Sequence, residues 1–220
     1  MGLIKMGLRL LGILVVVLVS ACDDTNNEQT NAMHLDRARV YQEQGQYKAA
    51  TIEYKNAVKK SGGDVAAIVQ YSNMLNKLGH YSTALSLLED ADGQKTEMYY
   101  LELVESFVGL NKYLSAEATL KDYLSPDSRE VKLLEAKIQL GLGELNNASN
   151  LYDRLLVEND ADDDALLGKA SVLVRNKGIK AALELLSKVQ VKSKANVKAK
   201  ILTAGIQITS NELEAAESTL

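Results

Sequence analysis

The 220-residue sequence holds one cysteine (Cys22), one proline (Pro126), no tryptophan and two histidines (His34 and His80). A single cysteine excludes a disulfide framework and any thiolate metal cage within the chain. Two histidines without an HExxH spacing offer no paired imidazole ligands and little room for a Ser/His/Asp constellation. No phosphate-cradling GxxxxGK or GxGxxG pattern occurs; Gly141-Leu142-Gly143 lacks both the third glycine and a preceding strand. Positive charge is not in excess either. Twenty-five basic against 29 acidic residues give a net charge of -4, a poor balance for gripping nucleic-acid phosphates. What is present is 46% hydrophobic and 25% charged side chains, an ordinary globular composition. With alanine, leucine and lysine abundant and proline nearly missing, it predicts helix almost throughout. No cofactor is implied.

Residues 1–21 read as a processing segment. Lys5 and Arg9 precede an apolar run from Leu10 to Val19, and the small residues Ser20 and Ala21 follow. A run of ten or so residues is about half of the roughly 20 that a bilayer-spanning helix needs. The only cysteine comes next. Val19-Ser20-Ala21-Cys22 resembles the bacterial lipobox, which implies cleavage before Cys22, acylation of that residue and a periplasm-facing chain held on a membrane. Two or three acyl chains anchor firmly where one does not, at about 0.8 kcal/mol per buried CH₂. In lipoproteins of this kind an acidic residue just after the cysteine favours retention in the inner membrane, a role the resemblance assigns to Asp23 and Asp24. The stretch 22–30 has no apolar run to bury and is expected to be a polar tether.

From residue 31 onward one pattern recurs. Gly45-Gln46-Tyr47 with Ala50, Tyr54 and Ala57 is matched by Gly79-His80-Tyr81 with Ala84, Leu88 and Ala91. It returns at Asn111 with Ala116 and Leu120, at Gly143 with Ala148 and Tyr152, at Lys177-Gly178 with Ala182 and Leu186, and at Asn211 with Ala216 and Leu220. The anchors 45, 79, 111, 143, 177 and 211 are spaced 34, 32, 32, 34 and 34 residues apart. Before each lies about one helix: 34–44, 66–78, 98–110, 131–142, 165–176 and 197–210. A glycine or asparagine anchor is what a helix end needs when the chain turns through the left-handed region. Ala38, Ser72, Ala136, Ala170 and Ala204 put a small residue seven positions before their anchors, where paired helices must approach closely.

This pattern resembles the tetratricopeptide repeat over residues 31–220. The resemblance implies an all-α, right-handed superhelical solenoid of antiparallel helix pairs, with five complete units and an incomplete sixth. The usual repeat tryptophan is replaced by His34, Ile68, Tyr100, Lys132, Leu166 and Lys200, and the loop proline is missing from its place. One unit cannot bury its own apolar face, so neighbours must stack to close the core. At the far end Ile201, Ile206, Ile208, Leu213 and Leu220 are expected to lie bare or half-packed, as in a chain that continues beyond residue 220.

Function then falls on the face lined by the first helix of each unit. Phasing on the anchors puts Leu35, Arg39, Gln42, Val69, Asn73, Asn76, Leu101, Glu105, Leu133, Lys137, Leu167 and Ser171 there. Leucine and valine beside scattered amides suit an extended protein or peptide segment. Chaperone-binding members of the family clamp a terminal carboxylate with lysine and asparagine; Asn73 matches, but Val69 stands in the lysine's place, which excludes that clamp. Asp160-Ala161-Asp162-Asp163-Asp164 lacks the glycine and glutamate of a calcium loop and reads as a helix N-cap cluster. Lys188, Lys192, Lys194, Lys198 and Lys200 form a basic run that reads as a solvated turn, or as a contact for an anionic polymer or lipid headgroups.

The lipobox, polar tether and repeats such as 47–57 together resemble the tetratricopeptide-repeat lipoproteins of exosortase (PEP-CTERM) systems, which accompany exopolysaccharide export and protein sorting. That implies a non-catalytic adaptor. The alternative is the accessory arm of an envelope enzyme whose catalytic domain lies beyond residue 220.

Overall fold

The computed structural model describes residues 30–193, 195–210 and 213–219. Twelve helices occupy them: α1 over 30–43, α2 Tyr47–Lys60, α3 Val65–Lys77, α4 Tyr81–Glu89, α5 Glu97–Gly109 and α6 Tyr113–Tyr123. Then follow α7 Arg129–Leu142, α8 Leu145–Glu158, α9 Asp163–Arg175, α10 Ile179–Ser187, α11 Ala195–Thr209 and α12 Leu213–Thr219. There is no strand among the described residues, only an isolated bridge between Asp64 and Asp92. The six first helices and their partners are the antiparallel pairs of an all-α helical repeat. Residues 1–29, with Cys22, Asp23 and Asp24, lie outside the described residues, as do Asn211 and Leu220. No described helix is long and apolar enough to cross a membrane.

The turn inside each pair is built the same way five times. The residue after the anchor donates its N–H back to the carbonyl five positions earlier: Gln46 to Tyr41, His80 to Leu75, Lys112 to Phe107, Glu144 to Gln139 and Gly178 to Leu173, all at 2.8 or 2.9 Å. This is the Schellman closure, which requires a left-handed residue just past the helix. Gly45, Gly79, Asn111 and Gly143 supply it with φ of 73°, 79°, 57° and 86°. The fifth unit departs from the glycine-or-asparagine expectation. Lys177, not Gly178, adopts φ 61°, while Gly178 sits at φ -82° as the N-cap of α10. Repeat phase, set by packing, overrides the preference of the individual residue.

The small residues do what their spacing implied. Ala50, Ala84, Ala116, Ala148 and Ala182 are fully buried, and so are Ala38, Ser72, Ala136 and Ala170. Val104 fills the same place in the third unit without a small side chain. First helices are started by side-chain caps: Asp64 accepts from the Ala66 N–H, Ser128 from Val131 and Asp162 from Ala165.

Two compact units divide within α5, one ending at Glu102 and the other beginning at Leu103. In the first, Leu35, Ala38, Tyr54, Tyr71, Met74 and Leu75 form the core. The Tyr54 and Tyr71 rings stack there with centroids 5.5 Å apart. The Tyr99 hydroxyl donates to the Leu88 carbonyl at 3.0 Å. In the second unit, Tyr152 packs with Leu133, Ala136, Leu155, Ala165 and Val172. A further cluster joins Leu166, Ala170, Ala182, Leu186, Ala195, Ala199 and Ile206. Ile206 is thus buried, contrary to the expectation from sequence, whereas Ile201 and Ile208 are exposed.

Consecutive repeats of the second unit are also riveted by charge. Arg129 donates through Nε and Nη2 to both oxygens of Asp162 at 2.6 Å and reaches Asp164 at 3.2 Å. Burial alone pushes the Asp162 carboxyl up, but the Arg129 hydrogen bonds and the Ala165 amide outweigh it, so its pKa falls below the usual carboxylate value. The acidic cluster serves as helix cap and inter-repeat rivet.

Candidate functional site

In the first unit, α1 presents Arg39, Gln42 and Glu43, while α3 presents Val69, Gln70, Asn73 and Lys77. The offsets of three, four and eight keep each set on one helix face. With Tyr54 from α2 and Met98 from α5 they line a cleft of about 400 Å³, within the usual range for ligand sites. Met98, 56% exposed, supplies most of the apolar surface, with only the edges of buried Val69 and Tyr54 beside it, and amides and charges surround it.

The polar side chains are held by one another. Arg39 Nε donates to Gln70 Oε1 at 3.0 Å, and its Nη1 to Asp36 Oδ1 at 3.1 Å. The Tyr54 hydroxyl donates to Gln42 Oε1 at 3.0 Å. Lys77 Nζ donates to Asn73 Oδ1, and Asn73 Nδ2 to Glu102 Oε1 at 2.6 Å. Burial raises the Tyr54 pKa and the nearby Arg39 charge opposes that, so the phenol stays neutral and remains a donor at neutral pH. Arg39 keeps about half of its side chain in solvent. The result is a strip in which exposed Met98 is edged by fixed hydrogen-bonding groups, two cations and the Glu43 carboxylate. Such a strip can pair with the backbone and carboxylates of an extended peptide. Among the described residues, no three His, Cys, Asp or Glu side chains converge.

Of the face drawn from sequence, the structure brings Arg39, Gln42, Val69 and Asn73 together. Leu35 and Leu133 are instead core residues, and Val69 shows only its edge. Asn76 is buried, its Nδ2 donating at 2.9 Å to the Glu102 carboxylate and to its carbonyl. Leu101 and Leu167 are half-buried. Glu105 and Lys137 pair at 3.1 Å in the second unit, and Ser171 donates back to the Leu167 carbonyl at 2.9 Å. The phasing did not select Glu43, Gln70, Lys77 or Met98. The signal for Lys77 was its place one turn after Asn73.

No protein-family model matches the chain, and no curated protein matches it. Solved structures do. A tetratricopeptide-repeat protein of Parabacteroides merdae superposes with a TM-score of 0.72 at 18% identity, covering 86% of this chain and 75% of its own. The fold is that of the tetratricopeptide repeat. A thermophilic tetratricopeptide-repeat protein of Thermus thermophilus gives a TM-score of 0.65 at 19% identity, with 81% of this chain and 99% of that one covered. YrrB, a tetratricopeptide-repeat protein described as having an unusual peptide-binding site, gives 0.50 at 18% identity over 76% of this chain and 90% of its own. The turn closures and buried alanines above are what the tetratricopeptide repeat requires of these residues.

Proposed function

We propose that this protein is a membrane-anchored, periplasm-facing adaptor that captures an extended segment of a partner protein in the cleft of its first unit. The observation that carries the reading is the combination in that cleft of exposed Met98 with Arg39, Lys77 and four fixed amide or phenol groups. Arg39 and Lys77 select a ligand with a carboxylate, and Met98 one with an apolar residue beside it. The peptide site of YrrB supports the same use of the fold. Cys22 supplies the anchor, and Asp23 and Asp24 favour the inner membrane. The process served is envelope assembly of the exopolysaccharide or protein-sorting kind. The chain itself performs no catalysis.

The test is binding of an array of acidic-apolar peptides to the full chain and to the Arg39→Glu and Lys77→Glu variants. Both side chains are surface-exposed, so each reversal changes stability by less than about 1 kcal/mol. Peptide capture is expected to fall at least tenfold with the circular dichroism spectrum intact. Equal capture by parent and variants refutes the cleft. Photo-crosslinking from position 42 in the native envelope then identifies the partner.

A further inference from the structure

Helix α2 carries four lysines and one glutamate, and that glutamate, Glu53, is held by His34 Nδ1 at 2.6 Å. Helical period puts Lys48, Ile52, Lys55 and Lys59 in one stripe, directly opposite the fully buried Ala50 and Ala57. All four are exposed, Ile52 by 60%, over a length of about 17 Å. Among the described residues none of these lysines meets a carboxylate, whereas Lys121, Lys132, Lys137 and Lys169 each stand beside one. The exposure owes nothing to a chain end. The positions that match 48, 52 and 55 in α4, α6, α8 and α10 are exposed as well, each outer face lying opposite its own buried alanine. Their charge is different: Glu89 on α4, Lys121 alone on α6, Asp153 on α8 and the opposed Lys180 and Glu184 on α10. Only α2 repeats a cation there and has no anion.

We propose that the outer stripe of α2 lies on the anionic bilayer to which Cys22 is attached, a contact that rests on the anchor proposed above. Charge complementarity is one argument: headgroup phosphates meet Lys48, Lys55 and Lys59, and Ile52 between them enters the headgroup boundary. Reach is the other. The His34–Glu53 contact sets the start of α1 beside the second half of α2, so the chain enters the pair at the end that carries Lys55 and Lys59. Residues 22–29 can span at most about 29 Å, which holds this stripe close to any membrane that holds Cys22. An acidic protein is the competing occupant, but it enjoys no such enforced proximity. Tyr54, which lines the cleft, leaves α2 from another side of the helix than the stripe. Docking by α2 therefore orients the first unit with its cleft open to a partner.

The test uses the acylated chain on vesicles, with a fluorescent amino acid in place of Ile52 and lipids that carry a spin label at the headgroup. On phosphatidylcholine with phosphatidylglycerol the probe should be quenched, and added salt should restore its emission; on phosphatidylcholine alone it should stay bright. A probe in place of Glu43, which lines the cleft, should stay bright on both. Lys48→Gln, Lys55→Gln and Lys59→Gln together should lower the ratio of docked to undocked chain roughly a hundredfold, at about fivefold per lysine, with the circular dichroism spectrum unchanged. Labelled fatty acid on the same preparation reports the anchor. A chain without label removes the anchor and this orientation together. A labelled chain with equal quenching on the two lipids, or with quenching unchanged in the triple variant, overturns the docking alone. Photo-crosslinking from position 52 in the native envelope should give lipid adducts, and adducts to protein alone also overturn it.

Discussion

Gly168 and Tyr152 test whether repeat packing, and not helix propensity, sets stability here. Gly168 lies inside α9, where replacing glycine by alanine ordinarily gains about 1 kcal/mol. A Cβ at this position would stand 2.2 Å from both Cε1 and Cζ of Tyr152 and 2.6 Å from its hydroxyl. Tyr152 is 1% exposed and enclosed by Leu133, Ala136, Leu155 and Val172, so the ring has nowhere to go. Overpacking of a closed core costs about 1–3 kcal/mol, and an overlap of more than 1 Å belongs at the upper end. Net of the propensity gain, Gly168→Ala should lose about 2 kcal/mol. Urea unfolding followed by circular dichroism should show a lower midpoint at unchanged slope. Tyr152→Leu, the residue type found at the equivalent Leu88, Leu120 and Leu186, should make room for the methyl. The double variant should therefore lose less than the sum of the two single changes. Gly141→Ala is the control. Its Cβ would also come within 2.2 Å of a tyrosine ring, but Tyr113 is half-exposed and can swing aside. Parent-like or higher stability of Gly168→Ala would refute the reasoning.

Lys177→Gly should stabilise the chain by about 1 kcal/mol, because a non-glycine residue at positive φ carries a cost of that order; a raised thermal midpoint is the readout. Arg129→Ala strands the buried Asp162 and, discounted for a guanidinium that is partly in solvent, should cost about 2 kcal/mol at neutral pH. Since folding lowers the Asp162 pKa, its contribution is complete above the unfolded carboxylate value and fades as pH falls through and below about 4. The stability gap between parent and Arg129→Ala should accordingly close on acidification. Cys22→Ser should abolish incorporation of labelled fatty acid; persistent labelling would remove the lipobox reading.

The architecture was legible because a solenoid repeats one local solution. The anchors, the alanine pairs and the intervening helix lengths recur in register, and each follows from short-range sterics that a sequence carries openly. The site was legible only in part. Phasing put Arg39, Gln42, Val69 and Asn73 on the right face, since helical period fixes direction. It could not say how deeply each would sink. Leu133 and Asn76 look like surface positions along their own helices, and only the neighbouring helix makes them interior. Lys77 and Met98 reach the cleft from positions that the phasing did not select.

What the residues determined unaided was the helix pairs, their turns and the small contacts between them, all set within about 34 residues. What tertiary structure alone decided was occupancy: which apolar side chains a neighbour covers, that Lys177 bears the left-handed turn, and that Arg129 meets Asp162 across 33 positions. Burial is a property of the space between helices, and that space exists only once the repeats have stacked.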